Sequence, residues 1–120
     1  MTEWKKKLAM SNNKYMSMLG MARRAGKLSM GHDMAMKSIR SGKAKLLLFA
    51  GDISPRLINE FDIASQKYCP GIICIKLNET VDMIHCALGY KAGVITVNDN
   101  NFSNRIIQLI QEENVYGNKI

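Results

Sequence analysis

Residues 42–55 read Gly-Lys-Ala-Lys-Leu-Leu-Leu-Phe-Ala-Gly-Asp-Ile-Ser-Pro, and this stretch decides the fold. Lys45 to Ala50 is a short, continuous apolar run after a glycine, which predicts a strand covered on both faces. Ser54-Pro55 then supplies a helix cap followed by proline at the first helical position. Leu57, Phe61, Ala64 and Tyr68 recur at i, i+4, i+7 and i+11, so a helix runs to about Lys67. A doubly covered strand leading straight into an amphipathic helix is one half of a βαβ crossover.

The same alternation continues outward. Cys69-Pro70-Gly71 is a turn, and Ile72 to Ile75 reads as a second buried strand. Asn78 or Thr80 caps a helix with Val81, Ile84, Ala87 and Leu88 inward, closed by Gly89. Gly93 to Val97 is a third buried strand. Asp99 or Asn101 opens a last helix carrying Phe102, Ile106, Leu109 and Ile110, and from Asn114 the chain reads as a loose tail. Toward the N-terminus, a helix spans Gly31 to Gly42 with Ala35, Met36 and Ile39 inward and Asp33, Lys37 and Arg40 outward. Lys27 to Met30 alternates as a short edge strand. A first helix from about Asn12 to Ala25 carries Tyr15, Met18, Leu19 and Ala22 on one stripe, with Ser11 or Asn12 as cap. The expected fold is α/β, a single-domain three-layer α/β/α sandwich with a mainly parallel, short central sheet. The domain spans residues 12–111, between a basic tail (1–11) and a C-terminal tail (112–120).

Composition narrows the function classes. The 120 residues are 47% hydrophobic, enough for one domain with a core. No stretch approaches the roughly 20 apolar residues of a membrane span. The opening Met-Thr-Glu-Trp-Lys-Lys-Lys lacks the apolar core of a secretory leader. Cys69, Cys74 and Cys86 are odd in number and lack CxxC spacing, so the expectation is a reduced, cytoplasmic protein. The net charge of +7 is uneven: residues 1–45 hold eleven Lys/Arg against two acids, a net +9, and the remainder six against eight, a net −2. A basic first third on a nearly neutral body is the footprint of an anion binder, most often of nucleic acid, set against the plainer reading of a solvated basic face.

Enzyme chemistry finds little support. Neither GxGxxG nor GxxxxGK[ST] is present, so no dinucleotide or P-loop phosphate cradle is supported. Asp52 follows a strand where a receiver domain would carry its phosphorylated aspartate, but the acidic metal ligands of that chemistry are missing, and Asp52 reads as a turn or cap residue. His32 and His85 lack metal-ligand spacing. Cys74 reads as inert core and Cys86 as packed. No cofactor and no metal are expected. Met18, Met21 and Met36 read as core filler, while Met30 and Met34, flanking Gly31, either pack or contact a partner.

The informative segment is Lys27 to Lys45, KLSMGHDMAMKSIRSGKAK. A strand delivers the chain to Gly31, and the free N–H groups of the following helix make a natural phosphate seat. Lys37 and Arg40 stand on its outer face, with Lys27 upstream. His32 and Asp33 in the first turn can hydrogen-bond base edges. Alternatively, Asp33 and Lys37 form an i, i+4 pair that merely supports the helix.

This segment resembles the RNA-binding signature of the kink-turn-binding ribosomal protein family, of the L-seven-Ae/L-thirty-e type, and especially its small bacterial branch. Met18-Leu19-Gly20-Met21-Ala22-Arg23-Arg24-Ala25-Gly26-Lys27-Leu28, Gly31 through Gly42, Ala44-Lys45-Leu46 and Ala50-Gly51-Asp52-Ile53-Ser54-Pro55 keep the family's order and spacing. The resemblance covers residues 12–111. It implies an α/β/α sandwich that binds kinked RNA through the N-terminus of the second helix, beside tandem sheared G·A pairs. A second loop, after the fourth helix, covers an extruded nucleotide. It places the family's glycine on Gly31, its helix lysine on Lys37, the Asn-Glu pair that reads guanines on Asp33 and Met34, and the second loop on Ala87-Leu88-Gly89-Tyr90-Lys91. Asp33 lacks the amide donor of asparagine, Met34 lacks any carboxylate, and His85 stands where the family usually has glycine.

The expected function is noncatalytic RNA binding, ribosome-associated or directed at a structured, kink-turn-like RNA. Lys27, Gly31, His32, Asp33, Met34, Lys37, Arg40, Leu88, Gly89, Tyr90 and Lys91 form the site, with Tyr90 offering a stacking face. Ribosomal or other proteins are further candidate partners; a membrane is not. The alternative is a protein–protein adaptor on the same fold that has lost the kink-turn signature, and a nucleotide-binding enzyme stands behind both.

Overall fold

The computed structural model describes residues 14–118. Within them run α1 (Lys14–Arg24), β1 (Leu28–Met30), α2 (His32–Arg40), β2 (Leu46–Phe49), α3 (Pro55–Tyr68), β3 (Ile73–Lys76), α4 (Val81–Leu88), β4 (Val94–Val97) and α5 (Asn100–Asn118). The basic tail and the Ser11 or Asn12 cap lie outside the described residues.

Strand β2 organises the core, as its apolar run predicts. Leu46 and Leu48 join one cluster with Leu19 of α1, Ile84 and Leu88 of α4, and Ile106 of α5. Leu47 and Phe49 point the other way, into a cluster with Ala35, Met36 and Ile39 of α2 and Phe61 of α3. The two-residue period of the strand therefore supplies two cores, and all four β2 side chains are buried. Local chemistry sets the helix starts. Ser54 Oγ accepts the Leu57 N–H at 3.2 Å with Pro55 behind it, Thr80 Oγ1 accepts the Met83 N–H at 3.2 Å, and Asp99 Oδ2 accepts the Phe102 N–H at 2.9 Å. Asp52 is indeed a capping residue, but for a helix distant in sequence: its Oδ1 accepts the Val81 N–H at the start of α4, at 3.0 Å.

The sheet is mixed, not mainly parallel. Its order is β1-β4-β2-β3, with β2 and β3 parallel and β4 antiparallel to both β1 and β2. Strands β1, β2 and β3 thus run one way, as two βαβ crossovers require, and β4 alone runs the other, wedged between β1 and β2. Burial on both faces, which is all an apolar run reports, is met equally by a central strand of either direction.

Other expectations also shift. Strand β3 is the second edge: Ile73 is 47% exposed and Cys74 is exposed rather than core. Cys86, Ala87, Met21 and Tyr68 face solvent instead of packing, whereas Met16 and Met30 are buried. Helix α5 continues to Asn118 where a loose tail was expected. Gln and Glu are good helix formers, and Gln108 donates to Glu112 one turn on, so the helix outlasts its apolar stripe.

Phe61 has no exposed surface and stacks edge-on against Phe49 at 6.3 Å between centroids, while Ile63, two residues on, is 61% exposed. Phe61→Ala is expected to cost about 3–5 kcal/mol by emptying the second core. Ile63→Ala should stay within about 0.5 kcal/mol. Urea midpoints at unchanged m-values check both.

Candidate functional site

The site forms where β1 ends. Gly31 turns the chain from strand to helix with φ +95° and ψ 165°, a conformation open to glycine and strained for any residue with a Cβ. Its amide donates to the Val94 carbonyl at 2.9 Å, and its carbonyl receives the Ala35 N–H at 2.9 Å as the first helical bond. No side-chain cap covers the N-terminus of α2, so its forward N–H groups remain open to an acceptor.

The reversed β4 brings the second loop to this point. Met30 pairs with Ile95, so the chain entering β4 lies against the chain leaving β1. A Cβ on Gly31 would sit 3.8 Å from the Tyr90 hydroxyl and 3.9 Å from a ring carbon, placing Tyr90 directly over the glycine. Gly89 closes α4 in the left-handed conformation at φ +81°, and the Arg23 guanidinium of α1 donates to the Leu88 carbonyl at 2.9 Å. Arg23 therefore fixes the C-terminal end of α4 and the loop that follows. Leu88 itself is only 5% exposed and belongs to the core, as its inward place on the α4 stripe predicts. Lys91 is exposed and lies 4.0 Å from Asp82.

On α2, Asp33, Met34 and Lys37 all face solvent, Met34 at 53%. Asp33 turns not to Lys37 but to its neighbour: His32 Nδ1 lies 3.2 Å from Asp33 Oδ1, and Nε2 lies 3.0 Å from Glu60 Oε2 on α3. The imidazole also packs edge-on against Phe61, centroids 5.3 Å apart. The hydrogen bond to Asp33, then that to Glu60, holds the His32 pKa above 6.5. The cation it favours sits between two carboxylates at the mouth of a shallow depression of about 550 Å³ that Lys37 and Arg40 also line.

The sequence-derived residues thus separate into two groups. Gly31 meets Tyr90 of the second loop, while His32, Asp33, Lys37 and Arg40 line one depression along α2. Lys27 lies at the opposite end of β1, about 13 Å back at 3.3 Å per residue. Arg40, about 12 Å along α2 from His32 at 1.5 Å per residue, lines the far end of that depression. Two participants went unidentified in the sequence. Glu60 pairs across 28 positions, which no local pattern signals. Arg23 stands in the basic count and in the resembling segment 18–28 with no role assigned, although its place in the last turn of α1 is typical of a residue that reaches a carbonyl. No helix among the described residues is long and apolar enough to cross a membrane, and none of their His, Cys, Asp and Glu side chains cluster as a metal site.

A family model described as the ribosomal protein L7Ae/L30e/S12e/Gadd45 family matches residues 13–104. The chain is 30% identical over 102 residues to the RNA-binding protein YlxQ of Bacillus subtilis (strain 168), covering 84% of this chain and 99% of that one. It is 29% identical over 101 residues to the RNA-binding protein YlxQ of Enterococcus faecium, covering 84% and 95%. Among solved structures, a protein of unknown function from Bacillus halodurans matches with a TM-score of 0.75 at 26% identity, over 83% of this chain and 99% of that one. The Giardia lamblia 15.5kD RNA binding protein shares the fold, with a TM-score of 0.64 at 15% identity over 81% and 82%.

The two carboxylates around His32 give a direct titration test. The folded-state pKa is raised, so the His32 contribution to stability is complete below the unfolded value of about 6.5 and is lost as pH rises through the folded value. By NMR, the imidazole should titrate above 6.5, and Asp33→Asn and Glu60→Gln should each move its midpoint down.

Proposed function

Because this chain belongs to the ribosomal protein L7Ae/L30e/S12e/Gadd45 family, we propose that it is a noncatalytic RNA-binding protein that clasps a structured, kink-turn-like RNA between the α2 N-terminus and the 89–91 loop. The observation that carries this reading is the seating of Tyr90 over Gly31, which joins two loops 59 positions apart into one surface. The open N–H groups of α2 would take a phosphate, Lys37 a second, and the 46%-exposed Tyr90 ring would stack on a splayed base. Asp33 can accept guanine N–H groups, and the neighbouring His32, when protonated, offsets the cost of holding a carboxylate in the RNA field.

Met34 sets the specificity. A thioether cannot replace a carboxylate toward guanine, so this chain discriminates sheared G·A pairs less sharply than the family's Asn-Glu signature implies. The exposure of Met34 also favours a second reading, a protein–protein contact through the same surface.

A gel-shift titration with a kink-turn RNA, a G·A-disrupted version of it and a plain duplex, each at two salt concentrations, separates these readings. The expected result is salt-sensitive binding with the intact kink-turn favoured. Lys37→Ala should weaken binding and reduce the salt slope by about one unit. An unchanged slope means that Lys37 touches no phosphate. Absence of RNA binding at low salt overturns the proposal in favour of the protein contact.

A further inference from the structure

Helix α2 stands as a ridge with a depression on each flank, and the flanks differ in charge. Toward α3 lie the Asp33 and Glu60 carboxylates with His32 between them, beside Lys37 and Arg40. Toward β1 and the end of β4 lies a second cavity of about 220 Å³, walled by Ser29, Met34, Lys37, Ser41, Lys43 and Asn98. No carboxylate among the described residues lines it. Lys37 borders both flanks, so this groove is continuous with the surface proposed for RNA.

The floor of the groove is built, not incidental. Asn98 Oδ1 accepts from the Ser38 hydroxyl at 2.6 Å and from the Thr96 hydroxyl at 3.1 Å, and Asn98 Nδ2 donates to Ser29 Oγ at 2.9 Å. Thr96 and Ser38 are buried, which fixes the carboxamide. Both acceptor positions of Asn98 are then used, while one of its N–H groups remains; Ser29, having accepted, retains its own O–H. Lys37 and Lys43 add ammonium donors above them. What this groove has left to offer is donors and positive charge, and the ligand it fits is an acceptor-rich anion.

Resting on the RNA-binding reading, we infer that the groove between α2 and the β1–β4 edge seats a phosphodiester segment of the same RNA, held by Lys43, Lys37, Ser29 and Asn98. The backbone leaves the α2 N-terminus along this flank, which offers ammonium groups and no carboxylate, whereas the α3 flank sets Asp33 and Glu60 among Lys37 and Arg40. Lys43, Ser29 and Asn98 thereby extend the interface beyond the first turn of the helix.

The test compares the salt dependence of kink-turn RNA binding for the wild-type chain, Lys43→Ala and Arg105→Ala. Arg105 lies on α5 in the layer beyond the sheet and serves as the control for lost charge. Lys43→Ala should lower the slope of log K against log[salt] by about 0.7–0.9, the loss of one phosphate contact, and Arg105→Ala should leave it unchanged. A wild-type slope retained by Lys43→Ala overturns the groove while leaving RNA binding intact; equal losses in both variants also overturn it, as a nonspecific charge effect. No binding by the wild type overturns the RNA reading and the groove together. In parallel, the Asn98 side-chain amide signals should shift on adding the RNA and not on adding inorganic phosphate alone; a shift with inorganic phosphate alone overturns the assignment in favour of a small-anion site. Lys43 is exposed, and an unchanged melting temperature verifies that its variant folds.

Discussion

The hydrogen bond from the Gly31 amide to the Val94 carbonyl, 2.9 Å long, is the joint on which the proposed binding surface depends. It closes the antiparallel pairing of β1 with β4 at the end where one chain leaves the sheet and the other enters it. A parallel β4 would enter at the far end and carry the 89–91 loop away from α2. The reversed strand instead superimposes two loops, and Tyr90 lies across the turn that the positive φ of Gly31 makes. Arg23 holds the loop from behind through the Leu88 carbonyl, so both halves of the surface rest on the buried core through short, directed contacts.

The electrostatics of that surface are less simple than a net charge of +7 implies. The helix that carries the basic ridge also carries Asp33, and α3 places Glu60 within reach of the same histidine. His32 therefore moderates a local acidic spot in a basic neighbourhood. The two flanks of α2 differ: one mixes carboxylates with Lys37, Arg40 and the imidazole, and the other presents ammonium groups, hydroxyls and an amide without a carboxylate.

Much of this was legible in the sequence. The apolar run of β2, the Ser54-Pro55 start of α3 and the outward face of α2 follow from period, capping and composition, and the structure keeps them within a residue or two. What escaped was non-local. Strand direction leaves no trace in a doubly buried run such as Val94–Val97, so the mixed sheet was read as parallel. Edge position leaves none in Ile73–Lys76, whose apolar residues resemble those of a central strand. The Gly31–Tyr90 contact follows from that unread direction. The family resemblance named both loops, but only the topology explains why they meet. Leu88 carries two readings, inward from the helix stripe and in the site from motif position, and its packing in the core agrees with the first.

The β1 strand has three residues and a single neighbour in the sheet, which makes it the shortest seam in the sheet. Tyr90 and Gly31 lie on either side of that seam at its open end. Any molecule gripping both must bridge the two strands from outside, like a stitch across the edge of a cloth. The energy of holding it is then shared with the energy of keeping β1 paired, because fraying of the strand separates the two halves of the grip. In this fold, a grip across that seam and the pairing of a three-residue strand stabilise one another.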